Sequence, residues 1–272
     1  MKIKKCFSSL DFIKNYYFVD DNGVSFEINK EDITDNQLAE YKNKYFFNDG
    51  SKIFELLLGD SKDTIKGNFY KFLLLDFNKT PYNSRIEIQE LLSQLANGGD
   101  FIELKGIVVF IYYQDLDIDF ESIMQSINYD FYTTIHMFES GKIYLDLPYS
   151  AREGFRILFN LCYTQCFKCG NLKSFYQFST ISDLVLLLVN HDFKQIELLR
   201  PIILNRVAYD SQLESICITF FENSLNVSKT AVAIYMHRNT LNNKIDFIRS
   251  ETGFNITKFK DAMAMYWLLK AK

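Results

Sequence analysis

Near residue 147 the hydrophobic period of this chain changes, and that change restricts the folds open to it. Upstream, short apolar runs stand between turn residues. Phe69 to Phe77 (FYKFLLLDF) and Ile107 to Tyr113 (IVVFIYY) read as buried strands, and Thr133 to Tyr144 as a strand or a hairpin turning at Glu139-Ser140-Gly141. Between them lie helical patterns: Asn83 to Leu95, with Ile86, Ile88, Leu91, Leu92 and Leu95 largely on one face, and Phe120 to Ile127. Strand, helix, strand, helix, strand is the order of an α/β or α+β domain. From Tyr149 onward only helical periods remain, over Ala151 to Cys166, Ile181 to Val189 and Phe193 to Val207. Pro201 inside the last of these either kinks it or starts a new helix, because proline lacks the N–H that a helix interior needs.

Composition narrows the function. Apolar residues make up 48% of 272, enough for a sizeable core and too many for global disorder. The net charge of −4 argues against blanket adhesion to nucleic acid or an anionic membrane, so any polyanion-binding surface must be a small patch. The opening MKIKKCFSSLDFIKNYYF has a basic start but no apolar stretch, so no signal peptide is expected. The longest apolar runs, ISDLVLLLV and KGIVVFIYY, fall short of the ~18 residues that span a bilayer. Five cysteines, an odd number, fit reduced thiols. The expectation is a soluble cytoplasmic protein with no membrane partner.

Residues 212 to 250 fit three short helices. Ile216, Ile218, Phe220 and Phe221 give an apolar first helix, closed by Glu222-Asn223-Ser224. Ser228 can cap a second, SKTAVAIY, with Ala231 and Ala233 as small interior positions. After a break at Met236-His237, Asn239 can cap a third, TLNNKIDFIRS, in which Leu241, Ile245 and Ile248 recur at helical spacing and must face inward. The outward face then carries Arg238, Thr240, Asn242, Asn243 and Lys244, with no carboxylate before Asp246. Hydrogen-bonding side chains and cations at the start of a third helix are the layout of a helix-turn-helix that reads the major groove. Asn pairs bidentately with adenine and Arg with guanine.

The stretch VSKTAVAIYMHRNTLNNKIDFIRSETGFN closely resembles the C-terminal helix-turn-helix of PucR/CdaR-type bacterial transcriptional regulators. The matching residues are Thr230-Ala231, His237-Arg238-Asn239-Thr240-Leu241 and Thr252-Gly253. The likeness continues upstream through Glu197 to Pro201 and Leu213, and downstream through a closing helix around Asp261 to Leu269. The second and third helices also resemble the Fis-type helix-turn-helix. One departure stands out. The family usually has Arg and an aromatic after the Leu, where this chain has Asn242 and Asn243, one cation fewer. The resemblance implies a DNA-binding transcriptional regulator, not an enzyme, with double-stranded DNA as partner. It also implies a homodimer and a small-molecule effector sensed elsewhere in the chain. Its site residues would be Lys229, His237, Arg238, Asn239, Thr240, Asn242, Asn243 and Lys244. Arg238, Asn242 and Asn243 would read bases, and Lys244, Thr240 and Lys229 would face phosphates. Residues 210 to 272 hold eight Lys or Arg against six Asp or Glu, a local +2 beside −6 for the remainder.

The expected architecture is therefore α+β: a mixed α/β N-terminal sensor-like or dimerisation domain over 1–147, a helical connector over 148–209, and an all-α C-terminal helix-turn-helix domain over 210–272. Two other readings stand beside it. One is a protein-interaction module whose helix-turn-helix no longer reads DNA. The other is a metal or redox sensor built on Cys162, Cys166 and Cys169, whose C-x3-C-x2-C spacing could hold an iron–sulfur cluster if the segment were a loop. Residues 152 to 166 read instead as a helix with Phe155, Leu158, Phe159, Cys162 and Cys166 on one stripe, which makes these cysteines core residues, with Cys169 at the helix end. Asn97-Gly98-Gly99-Asp100-Phe101 resembles the loop of diguanylate cyclases but has Phe101 where they have Glu, so it reads as a turn. His136, His191 and His237 are dispersed, and no phosphate loop or nucleophile elbow is present. Neither catalytic residues, nor a metal site, nor a cofactor is expected.

Overall fold

The structure, a computed structural model, describes residues 2–3, 14–58, 67–77, 80–116, 118–146, 151–168 and 178–271. Its contacts divide the chain into two units: residues 1–138 with 151–178, and residues 139–150 with 179–272.

The first unit is mixed α/β. A small sheet has the order β1-β3-β2-β4, from β1 (Lys2–Ile3), β2 (Asn15–Val19), β3 (Ser25–Asn29) and β4 (Phe46–Asn48), with β2 antiparallel to both neighbours. Helix α1 (Asp35–Lys44) starts at a capping box in which Thr34 and Gln37 satisfy each other's backbone N–H groups. Its Tyr41 joins Phe18 and Phe26 in an aromatic cluster with Tyr45. α2 (Lys52–Leu57) follows.

The larger sheet sets β8 (His136–Glu139), β5 (Phe69–Asp76), β7 (Ile107–Tyr112) and β6 (Asp100–Leu104) side by side in that order. β5 and β7 are buried on both faces, which is why they read as unbroken apolar runs. Alternate residues of β5 explain this. Leu73 and Leu75 pack with Ile88 and Leu92 of α3 (Tyr82–Leu95) and with Met124 and Ile127 of α4 (Phe120–Asp130). Phe72 meets Phe155 of α5 (Ala151–Cys162) edge-on at 5.2 Å on the opposite face. Of the apolar residues expected along α3, Ile86 is 39% exposed, because the helix buries only its Ile88–Leu92 stripe deeply. α5 ends at Cys162 and continues as a π-helical turn, Tyr163–Lys168. Phe155, Leu158, Phe159 and Cys162 are buried, whereas the Cys166 side chain and Cys169 lie outside the described residues.

Of the strand or hairpin expected over 133–144, the structure has strands that do not pair with each other: β8 lies beside β5, and Ile143–Tyr144 (β9) belongs to the second unit. Gly98 and Gly99 do form the turn before β6. A Cβ on Gly99, at φ +145°, would clash with the Phe110 ring. Asp100 itself accepts a hydrogen bond from the Tyr113 hydroxyl at 2.6 Å.

Beyond segment 139–150, here called the strap, and the strand residues Ser179–Thr180, the described part of the second unit is helical. α6 (Ile181–His191) is started by Asp183, whose carboxylate accepts from the Thr180 N–H and hydroxyl and pairs with Lys260 at 2.7 Å. α7 (Phe193–Leu204) runs through Pro201 without ending there and passes into a 3-10 turn, Asn205–Tyr209. α8 (Ser211–Glu222), α9 (Val227–Ala233), α10 (Arg238–Thr252) and α11 (Phe259–Lys270) complete the unit. α11 packs against α6, α7 and α8, and α10 against α9, α7 and the 3-10 turn. No helix among the described residues is long and apolar enough to cross a membrane.

Candidate nucleic-acid interface

The region read as three short helices folds as α8, α9 and α10, and each boundary has a local cause. Asp210 caps α8, accepting from the N–H groups of Gln212 and Leu213 at 2.9 and 3.0 Å. Ser224 and Leu225, both left-handed at φ +57° and +58°, turn the chain, and the Leu225 N–H closes on the Phe220 carbonyl. α9 is then capped by Asn226, whose side chain accepts from the Lys229 N–H at 3.0 Å, and not by Ser228. Thr230 is fully buried and donates its hydroxyl back to the Asn226 carbonyl. Ala231 is buried as expected; Ala233 is exposed.

The turn to α10 is closed by two bonds, Met236 N–H to the Ala231 carbonyl and Tyr235 N–H to that of Val232, with Tyr235 left-handed at φ +51° between them. His237 is the cap of α10. Its Nδ1 accepts from the Asn239 N–H at 3.2 Å. Asn239, expected as the cap, is an exposed residue of the first turn. Leu241, Ile245 and Ile248 are buried, as their spacing requires. At its far end α10 stops at Gly253, φ +78°, whose N–H returns to the Arg249 carbonyl at 2.8 Å.

Seven of the eight expected site residues are exposed: Lys229, His237, Arg238, Asn239, Thr240, Asn242 and Asn243. Lys244 is half-buried. All but Lys229, on α9, lie at the cap of α10 or in its first two turns. The pairs Arg238/Asn242, Asn239/Asn243 and Thr240/Lys244 stand one turn apart and make three adjacent rows. At 100° per residue, Asn239 and Asn243 lie nearly opposite the buried stripe, while Arg238 and Lys244 flank it on either side. Among the described residues, Arg238, Lys244 and Lys229 make no ion pair. Their charge, with the positive end of the α10 dipole, is turned to solvent.

Sequence reasoning passed over Tyr235 and Val232, which are 99% and 77% exposed beside this surface. An aromatic at the left-handed position of a helix end, where Gly or Asn fits best, was the signal that could have found Tyr235. No group of three or more His, Cys, Asp or Glu suited to a metal occurs among the described residues.

Residues 217–271 match the PucR C-terminal helix-turn-helix domain. Among solved structures, a regulator of polyketide synthase expression from Bifidobacterium adolescentis aligns with 76% of this chain and 81% of its own at 13% identity. Its TM-score is 0.34, too low to assign the fold. No curated protein matches the chain.

Proposed function

We propose that this chain, whose residues 217–271 carry a helix-turn-helix of the PucR type, is a cytoplasmic DNA-binding regulator of transcription that acts as a homodimer. The observation that carries this reading is the first two turns of α10. Their solvent side holds hydrogen-bonding side chains flanked by two cations, and their inner side is locked by Leu241, Ile245 and Ile248. α10 enters the major groove from its N-terminal end. Arg238, Asn242 and Asn243 meet base edges, and Lys244, Thr240 and Lys229 meet phosphates. His237 and Asn239 border the same face. The first unit senses an effector or joins two copies.

Footprinting on genomic fragments, with an Arg238→Ala/Lys244→Ala double variant beside the parent, tests this. A discrete protected region with two half-sites about one helical turn apart, lost in the variant, is expected.

A second reading, a docking module with a retained helix-turn-helix fold, draws on the Asn242-Asn243 pair, the local charge of only +2 and the exposed Val232 and Tyr235. Salt separates the two, because a DNA reader loses affinity steeply as ionic strength rises. An absence of protection on every fragment at low salt favours the docking module.

A further inference from the structure

The recognition helix is held at its far end by residues more than a hundred positions upstream. Lys142 donates its ammonium to the Ser250 carbonyl at 2.6 Å, and the Tyr144 hydroxyl lies 3.0 Å from Glu251 Oε1. Asn205, buried and at a positive φ of +51°, donates from one amide nitrogen to the Glu251 carbonyl at 2.9 Å and the Lys142 carbonyl at 3.3 Å. It therefore ties the strap and the last turn of α10 to one point. Arg206 lies over the Tyr144 ring at 4.8 Å and bridges Asp146 and Glu251. The last carbonyls of a helix have no partner within it, and here Lys142 and Asn205 supply the donors. Lys142, Tyr144, Asn205 and Glu251 are all buried, and Glu251 Oε2 has no hydrogen-bond partner among the described residues. A carboxylate kept in that state sits where a small displacement changes the bonding of several groups together.

The strap that supplies Lys142 and Tyr144 is the chain's excursion from the first unit: the sequence leaves that unit after Phe138 and rejoins it at Ala151. α10 is 15 residues long, about 22 Å, so a tilt of about 10° at its C-terminal seat would carry Arg238 about 4 Å. That exceeds the tolerance of a hydrogen bond to a base edge.

We propose that Lys142, Tyr144, Asn205 and Glu251 are positioning residues that set the seat of α10, and that strap residues 141–146 and the N-terminal face of the recognition helix are coupled through that seat. The proposal rests on the DNA-reading function for what α10 does once seated. It does not rest on it for the seating itself.

Amide hydrogen exchange on the full chain tests it, with Tyr144→Phe, which removes one oxygen and keeps the ring, and Glu251→Gln as an independent second variant. Without DNA, exchange over residues 248–253 is expected to quicken about tenfold in either variant while α9 and α11 stay as in the parent. No local change, or an equal quickening through all the helices of the unit, overturns the positioning role. With sheared genomic DNA at low salt, parent protein is expected to gain protection both in α10 and in strap residues 141–146. Tyr144→Phe should keep the first and lose most of the second, since coupling between two places is reciprocal. Protection of α10 with an indifferent strap in the parent overturns the coupling. Absence of DNA protection anywhere counts against DNA reading and, with it, the coupling, while the DNA-free exchange still decides the seating.

Discussion

Gly253 and Cys217 show how far a single residue can be read. An added Cβ at Gly253 would meet nothing within 4 Å, so only its φ of +78° demands glycine. Gly253→Ala should therefore cost about 1 kcal/mol, the price of a left-handed side chain, seen as a lowered midpoint in chemical denaturation without loss of fold. Burial, with Glu214 as a smaller cause, pushes the Cys217 thiol up to about 12. It stays protonated at neutral pH, and iodoacetamide should label it only on unfolding; rapid labelling of native protein would show that the thiol is not held in the core. The sign of its linkage follows. Unfolded thiol ionises from about pH 9, folded thiol only near 12, so this group's contribution to stability declines between those values. Arg238→Ala belongs to this scale too: a loss of about 1–3 kcal/mol confined to sequences with the matched guanine marks a base reader, and an equal loss on every sequence marks a phosphate contact. Caps were the least legible residues. Asn226 and His237 hold the positions that Ser228 and Asn239 were expected to take, because several neighbouring side chains can cap. The choice falls to whichever has extended backbone, as Asn226 and His237 do after their left-handed turns.

Whole elements were more legible, since burial imposes its period directly. The Leu241–Ile245–Ile248 stripe placed α10 with its polar face outward, and Phe69–Phe77 placed β5. Leu241→Ala should cost about 2–5 kcal/mol, measured by denaturation, because the residue is fully buried and its neighbours cannot close the space completely. A cost near zero would mean that the stripe is not the packing face. The segment 133–144 was read as a strand or a hairpin, and the choice was open for a physical reason: local alternation shows that a segment is extended, but not which strand will pair with it. Pro201 was ambiguous in the same way, and α7 continues through it.

At the scale of the molecule, the sequence pattern anticipated mixed structure followed by helices. α6 and α7, read as a connector, pack in one unit with the helix-turn-helix, and the strap joins them from 139–150. Such partnerships depend on contacts over long separations, which no window of neighbouring residues encodes. Stoichiometry is testable at this scale through salt. Each phosphate neutralised contributes about −0.9 to the slope of log affinity against log salt. Lys244→Ala should then flatten the slope by about two if two copies bind together, and by about one if a single copy binds. An unchanged slope would remove Lys244 from the phosphate contacts.

The strap also puts a delay into the making of the protein. Tyr144 leaves the ribosome 107 residues ahead of Glu251. At about 5–20 residues per second, roughly 5–20 s pass before its partner exists. Throughout that interval the second unit has its first segment and lacks the helix which that segment will hold, so Lys142 and Tyr144 wait for the last turn of α10 before their bonds to it can form.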